Sequence, residues 1–312
     1  MLGRVTSDTT DNPSAPAAGR NANVPDSDLA AFEDVRPRLF GIAYRMLGSV
    51  AEAEDVVQDA WLRWQGTDRR VVRNPAAFLT TTTTRLAINA TTSAHARRET
   101  YVGPWLPEPV DTTADPALGA ERAEALELAV LLLLEKLGPT ERAAYVLREA
   151  FGYSYREIAD VLEMSEVNAR QVARRAREHL ESGRSAPASP ARHRRLLESF
   201  VAAARVGDLD GLERLLVDDV VVRPDGGGEV HASRVELVGA ARTVTFLDNV
   251  LRKYWQASTL RIVEANGGAA LLVTSAAGEP QAVVALDVSD RGIEHVYIVV
   301  SPSKLRQFAP AA

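Results

Sequence analysis

Residues 154–180 constrain the fold of this chain most, because they predict two short helices joined by a tight turn. Ser154 and Glu157 form a capping box, which begins a helix at Tyr155. Ser165 is a good N-cap for a second helix, and small or apolar residues fall on one side of that helix. The opposite side carries polar and basic residues and one valine: Val167, Arg170, Gln171, Arg174 and Arg175.

This pattern predicts a helix-turn-helix unit that reads DNA. The second helix of such a unit enters the major groove, with its N-terminal residues at the base edges. Arginine and glutamine form bidentate hydrogen bonds to guanine and adenine. The alternative is a solvated basic face on an ordinary helical hairpin, which the paired caps and the arginine–glutamine face disfavour. Glu163 stands at the turn where glycine is common, and Arg177 and Arg192 are expected at phosphates.

Composition excludes several classes of protein. The chain has 312 residues, a net charge of −6 and no cysteine, so disulfides and thiolate metal sites are excluded and no cofactor is expected. Residues 140–195 contain 11 arginines and 8 acids, whereas residues 196–312 contain 11 basic and 15 acidic residues. Basic charge therefore lies near the helix that would need phosphate contacts. No segment predicts a signal peptide or a membrane span, so a cytoplasmic protein is expected.

The N-terminal half predicts helices. Residues 1–28 are polar and expected to be disordered, and helical periodicity then begins near Leu29, with a kink or restart at Pro37. Ser49 and Glu52 form another capping box. The helix that follows carries an acidic stripe, for which a solvated face is the ordinary explanation: Glu52, Asp55 and Asp59, with Gln58 nearby.

Asn74-Pro75 begins a further helix, although residues 80–84 are five threonines, which lower helix propensity. Residues 101–110, Tyr-Val-Gly-Pro-Trp-Leu-Pro-Glu-Pro-Val, predict a stiff linker that docks on another part of the molecule. Residues 117–137 predict an amphipathic helix. The side of the 75–99 region expected to be exposed, toward nucleic acid or water, carries Arg85, Asn89, Ser93, Arg97 and Arg98.

From residue 192 onward, helices followed by a meander of strands predict an α+β domain. The candidate catalytic acids and bases of this domain are Asp225, His231, Asp287 and His295. Nothing in the sequence pairs them, so a regulatory role is favoured over catalysis. Gly226, Gly227 and Gly228 after Asp225 allow a tight turn or a docking surface.

Three blocks, residues 38–49, 53–64 and 154–180, resemble the extracytoplasmic-function (ECF) sigma factors of the sigma-70 family. The 101–110 linker and the Asp225–Gly228 motif resemble the sigma J-like subgroup, which has a fused SnoaL/NTF2-like domain. The resemblance implies a non-enzymatic, multidomain protein: two all-α sigma domains followed by an α+β, cone-shaped domain. It also implies a division into a tail (1–28), region 2 (29–100), a linker (101–128), region 4 (129–182), a linker (183–191) and a SnoaL/NTF2-like regulatory domain (192–312).

The same resemblance implies partners and roles. Core RNA polymerase would meet Asp55, Gln58 and Asp59 through the β′ clamp helices, and promoter DNA would be read at two elements. The residues implied at the −10 element are Arg85, Asn89, Ser93, Arg97 and Arg98. Those implied at the −35 element are Val167, Arg170, Gln171, Arg174, Arg175 and Arg177. The implied regulatory loop is Asp225, Gly226, Gly227 and Gly228.

Two other functions remain open from the sequence. One is a helix-turn-helix repressor or activator, for which the acidic stripe would be surplus. The other makes residues 196–312 the main activity, as a small-molecule binder or an isomerase-like enzyme. A small ligand of that domain is left unidentified, and no membrane partner is expected. The threonines at 80–84 and the Ala90-Thr91-Thr92 segment depart from the family pattern, which bears on the −10 residues.

Overall fold

The computed structural model describes residues 26–113, 126–182, 186 and 188–309. The expectations for residues 1–25, for 114–125 of the first linker and the start of the 117–137 helix, and for 183–185 and 187 of the second linker lie outside the described residues. The first helical group contains α1 (Asp26–Leu47), α2 (Val50–Gln65) and α3 (Pro75–Glu99).

Helix α1 corrects one expectation. It begins at Asp26, where a disordered tail to residue 28 was expected, because its first turn is anchored. The Trp64 indole donates to the Asp28 carbonyl at 3.2 Å, and Arg69 pairs with the Asp28 carboxylate at 3.1 Å. Of the two outcomes expected at Pro37, a kink or a restart, the restart does not occur, because one helix contains the proline. Buried side chains on both sides of the proline, Phe32 and Leu39 among them, hold the two halves in one core.

Helix α3 contains the threonine run without interruption. Asn74 caps it, and the Thr84 and Thr91 hydroxyls each donate at 2.8 Å to the carbonyl four residues earlier. This back-bonding satisfies hydroxyl groups that would otherwise be buried without a partner. Threonine is therefore compatible with the buried face of this helix.

The second helical group contains the predicted helix-turn-helix. Its elements are α4 (Leu128–Leu134), α5 (Pro139–Tyr145), a π-helical turn (Val146–Ala150), α6 (Tyr155–Leu162) and α7 (Glu166–Ser182). Ser154 and Glu157 form the predicted capping box. Glu163 has the left-handed φ of 53° that explains why such turns favour glycine. The face of α7 predicted to be internal is buried.

The remaining residues form an α+β domain, so the predicted fold class is confirmed. Its helices are α8 (Pro190–Val206), α9 (Leu209–Leu215) and α10 (Ala240–Val250), the last continued by a π-helical turn (Leu251–Trp255). Its strands are β1 (Leu216–Asp225), β2 (Leu237–Val238), β3 (Thr259–Ala265), β4 (Gly268–Thr274), β5 (Pro280–Val288) and β6 (Ile293–Val299). A 3₁₀ segment, Pro302–Phe308, follows β6.

In the described part of the chain these strands form one sheet in the order β2-β1-β6-β5-β4-β3, with only β1 and β6 parallel. Both faces of the sheet are covered. Val284 and Ile298 face helices α8–α10, whereas their neighbours Val283 and Val299 face the other way, as the period of two requires. This second face belongs to one continuous buried cluster with the first linker, the 3₁₀ segment and the sigma-like helices. The domain is therefore packed onto the rest of the protein through its sheet.

Candidate DNA and polymerase interfaces and the linker junction

The outer face of α7 is open to solvent. Val167 at its start is 69% exposed, so an apolar side chain stands at the end of the helix that would reach the bases. Arg170, Arg174 and Arg177 form exposed ion pairs with Glu166, Glu178 and Glu181 along the same helix. Exposed pairs of this kind contribute at most about 1 kcal/mol, so DNA phosphates and bases can replace these partners. The members of the face not held in such pairs are Val167, Gln171 and Arg175.

Arg170→Ala is expected to weaken binding of the polymerase holoenzyme to its cognate promoter by about 1–3 kcal/mol and to relax specificity at one −35 position. The reason is that Arg170 lies within two turns of the start of α7, the part of a recognition helix that generally contacts base edges. Arg177→Ala is the matched variant, because a phosphate contact affects all promoters alike. Fluorescence anisotropy on a panel of −35 substitutions distinguishes the two patterns. An Arg170→Ala variant with wild-type affinity and selectivity would contradict this docking.

The acidic stripe on α2 is exposed and has an apolar neighbour. Asp55, Gln58 and Asp59 are exposed, and none of them forms an ion pair with another residue that the structure describes. Glu52 differs, because Arg97 donates to its carboxylate. Leu62, which is 55% exposed, follows Asp55 and Asp59 at helical spacing. Leu62 is not among the residues predicted from the sequence, although an apolar residue in register with a polar stripe is a usable signal.

The five residues of α3 implied at the −10 element do not share one environment. Asn89, Ser93 and Arg97 are exposed. Arg85 is only partly exposed, because it donates to the Val161 carbonyl at 3.1 Å and pairs with Glu163 at 2.9 Å, both in the helix-turn-helix. The expectation that all five are exposed is therefore wrong for two of them, since Arg98 is largely buried as well.

Arg98 belongs to a buried ionic cluster between the two helical groups. Its side chain, 12% exposed, donates to Glu135 and to the Leu47 carbonyl. Arg142 of α5 also pairs with Glu135, at 2.7 Å, and donates to the Met46 carbonyl at 2.6 Å. Burial lowers the pKa of Arg98 and of Arg142 to about 10, so both guanidinium groups stay charged at neutral pH. One carboxylate thus joins a residue of region 2 to a residue of region 4.

The linker meets the C-terminal domain at Asp225, which is fully buried. Its carboxylate accepts hydrogen bonds from the Tyr101 hydroxyl at 2.7 Å and the Leu106 amide at 2.8 Å. The Lys304 ammonium donates to the same carboxylate at 2.7 Å and to the Leu106 carbonyl at 2.6 Å. Burial lowers the pKa of Lys304, although Asp225 opposes that shift. We call Tyr101, Leu106, Asp225 and Lys304 the linker junction.

The other face of the linker packs on region 2. The Trp105 ring lies between two cations, with the Arg98 guanidinium 3.7 Å and the Lys304 ammonium 4.9 Å from its centroid. Glu108 accepts from the Val50 amide at 2.6 Å, close to the start of α2. Burial raises the pKa of the Glu108 carboxyl, whereas the hydrogen bond from the Val50 amide acts to lower it. The linker is therefore held on both sides.

A second attachment lies at the β3–β4 turn. Asn266 is buried with a left-handed φ of 53°. Its side-chain oxygen accepts from the Val110 amide at 3.0 Å, and its amide nitrogen donates to the Tyr44 hydroxyl at 2.9 Å and the Leu126 carbonyl at 3.1 Å. This one side chain therefore contacts region 2, the linker and the approach to region 4.

The three glycines after Asp225 have a structural requirement of their own. Gly227 and Gly228 have positive φ values of 63° and 74°. A Cβ at Gly226 would lie 2.8 Å from the Val230 carbonyl, and one at Gly228 would lie 3.3 Å from Val102 of the linker. Alanine at these positions would thus strain the loop itself. Substitutions at the linker junction test docking more cleanly.

The structure also pairs two residues that the sequence left apart. His295 and Asp287 lie opposite each other on β6 and β5, with Nδ1 and Oδ2 3.3 Å apart. They lie on the same face of the sheet as Val299, away from His231.

Arg192, expected at a phosphate, instead donates to the Ser289 and Asp290 carbonyls of its own domain, which corrects that expectation.

Comparison with known proteins identifies the two helical groups. A family model for sigma-70 region 2 matches residues 31–98, and one for sigma-70 region 4 matches residues 127–180. The ECF RNA polymerase sigma factor SigJ of Mycobacterium tuberculosis is 39% identical over 236 residues, which are 73% of this chain and 74% of SigJ. This chain belongs to the ECF sigma factors. The probable ECF sigma factor SigI of the same species is 31% identical over 88% of this chain and 94% of SigI.

The likeness to a solved structure extends through the C-terminal domain. The crystal structure of M. tuberculosis SigJ superposes with a TM-score of 0.72 at 32% identity, covering 91% of this chain and all of that one. As an ECF sigma factor, the chain acts with core RNA polymerase to direct transcription initiation from promoters and is not an enzyme. Within the described ranges, every helix is too short or too polar to cross a lipid bilayer.

Proposed function

We propose that this sigma factor has a closed form, held by its C-terminal domain, which must open before promoter DNA is bound. The observation that carries the proposal is the contact between the two DNA-reading parts. Arg85 of α3 and Glu163 of the helix-turn-helix are 2.9 Å apart. The −10 and −35 elements, by contrast, are about 25 base pairs apart, or roughly 85 Å of duplex at 3.4 Å per base pair. Touching domains cannot span that distance.

Opening exposes residues that the proposal assigns to DNA. Separation of the helical groups frees Arg85 from Glu163 and Arg98 from Glu135, so both become available to the −10 element beside Asn89, Ser93 and Arg97. The −35 element is assigned to the exposed face of α7: Val167, Arg170, Gln171, Arg174, Arg175 and Arg177. Arginine at these places supplies phosphate contacts and base readout.

Core polymerase is assigned to the acidic stripe. Asp55, Gln58 and Asp59 are exposed in the closed form and lack ion partners among the described residues, so they are available for first contact. Their proposed partner is the pair of clamp helices of the β′ subunit. Leu62 adds an apolar contact to this charged face, and such mixtures are usual at specific interfaces.

The C-terminal domain is assigned the control of opening. Asp225 and the loop of glycines 226–228 contact the linker, and Asn266 bonds to three parts of the chain. The outer face of the sheet shares a hydrophobic core with the sigma helices. Because the domain is covalently tethered, its effective concentration is high, and modest contacts keep it docked. Weakening the linker junction should therefore shift the population toward the open form.

Energy transfer between two labels tests the proposal. The chain has no cysteine, so Arg63→Cys on α2 and His179→Cys on α7, both at exposed sites, take a dye pair selectively. Transfer is expected to be high in the free protein and to fall when core polymerase and promoter DNA are added. Run-off transcription by the labelled holoenzyme confirms that the labels are tolerated. Transcription with no loss of transfer would show that opening is not required.

A further inference from the structure

A cavity of about 710 Å³ opens in the C-terminal domain between α10, the π-helical turn that follows it and the ends of β1 and β6. Its volume lies within the range of about 300–1,000 Å³ that is typical of small-molecule sites. The turn Leu251–Trp255 is π-helical. Such turns are rare in proteins, and those that occur are often found at functional sites. The wall is largely apolar and includes Pro224, Phe246, Val250, Trp255, Ile298 and Val300.

The charges around this cavity have one sign. Among the residues that the structure describes, no aspartate or glutamate lines it, although acidic residues outnumber basic ones from residue 196 onward. Lys253 and His231 do line it. Lys253 lies 5.1 Å from the Tyr254 ring and forms no ion pair with a carboxylate in the described part of the chain. Lys253 is solvent-exposed, so its ammonium group beside the apolar wall is accessible to an anion with an apolar body.

We propose that this cavity binds a small apolar carboxylate, with its hydrocarbon part against Trp255 and Phe246 and its carboxylate at Lys253. Asn249 and Gln281 add hydrogen-bonding groups to the lining. The proposed role is binding without conversion, and the one described acid–histidine pair among the catalytic candidates, Asp287–His295, lies on the opposite face of the sheet from Ile298. His231 then has no carboxylate partner in the cavity.

The cavity shares a wall with the linker junction. Pro224 in the cavity wall directly precedes Asp225 of the junction. Val300 and Pro302, also in the wall, lie just before Lys304 of the junction in the sequence. Ser233 lines the cavity, while its carbonyl lies 3.6 Å from where a Cβ of Gly103 in the linker would be. A bound carboxylate therefore acts on the loop that touches the linker. This coupling rests on the proposed control of opening by the C-terminal domain.

Isothermal titration of the full chain with decanoate tests the site. Saturable binding with one site per chain is expected at submillimolar concentration, and decanol, which lacks the charge, should bind at least about tenfold more weakly. Lys253→Met should reduce decanoate affinity at least about tenfold, while Lys136→Met, at an exposed lysine in the turn after α4, should not. No saturable binding, or equal binding by both variants, would overturn the site.

Hydrogen exchange of residues 101–110 tests the coupling separately. Saturating decanoate is expected to change the exchange rate of the Leu106 amide, which donates to Asp225. The change should be absent in Lys253→Met at the same decanoate concentration. One-site binding with unchanged exchange would overturn the coupling and leave the site standing. If decanoate does not bind, the proposed closed form is unaffected, because the energy-transfer experiment tests it independently.

Discussion

Asp225→Ala is expected to release the linker from the C-terminal domain. The substitution removes the acceptor for Tyr101 and for the Leu106 amide, and it leaves the Lys304 ammonium, 9% exposed, without its counter-ion. Breaking a buried ion pair in this way costs about 3–5 kcal/mol, which shifts the docking equilibrium by at least a hundredfold. Hydrogen exchange of the Leu106 amide should accelerate accordingly, and energy transfer between α2 and α7 should fall in the free protein.

Asp219→Ala is the matched control, because Asp219 lies on the same strand, is exposed and pairs with Arg291 at 3.7 Å. It should leave linker exchange unchanged. Tyr101→Phe provides a variant outside the C-terminal domain, with an expected cost of about 1.5–3 kcal/mol for one hydrogen bond to a charged group. Slow exchange of Leu106 in folded Asp225→Ala protein would contradict the role of the junction.

Local signals predicted the secondary structure of both parts of this protein. The capping residues Ser49, Asn74 and Ser154 begin helices as expected, because a cap acts over three residues of sequence. The turn at residues 266–267, an asparagine followed by a glycine, separates β3 from β4, and Asn266 has the left-handed conformation that such turns favour. Such features need only neighbouring residues, so one sequence suffices to predict them.

The contacts between domains were not predictable in the same way. Tyr101 and Asp225 are separated by 124 residues, and no spacing rule relates them. Arg98 was expected to be exposed because helical periodicity shows only which face it shares, not that Glu135 packs against that face. One signal was available and unused. Strands β4, β5 and β6 are apolar on both faces, which indicates that a second layer covers the sheet.

The closed form explains why a glutamate stands in the turn of the helix-turn-helix. Glycine would relieve the positive φ of residue 163, at a gain of about 1 kcal/mol. Glutamate instead supplies the carboxylate that pairs with Arg85 across the two helical groups. The same residue therefore shapes the DNA-reading unit and covers a residue assigned to the −10 element. In the proposed closed form, the Arg85–Glu163 contact offsets part of the strain in the turn.

Joint replacement of Asp55 and Asp59 by asparagine is expected to weaken association with core polymerase strongly. Both carboxylates are exposed, and loss of two charge pairs at an interface should cost about 3 kcal/mol or more, roughly a hundredfold in affinity. The melting temperature should stay the same or rise slightly, because like charges four residues apart on a helix repel by a few tenths of a kcal/mol. Pull-down with core enzyme and thermal denaturation measure the two effects.

The control is Glu33→Gln with Asp34→Asn, which removes the same charge from exposed positions on α1. This pair should bind core polymerase as wild type does, so net charge alone is excluded as the cause. Salt separates the explanations further: added salt should weaken core binding by the wild type and the control, and affect residual binding by the stripe variant much less. A stripe variant that binds core normally but melts at a lower temperature would instead show that Asp55 and Asp59 stabilise the fold.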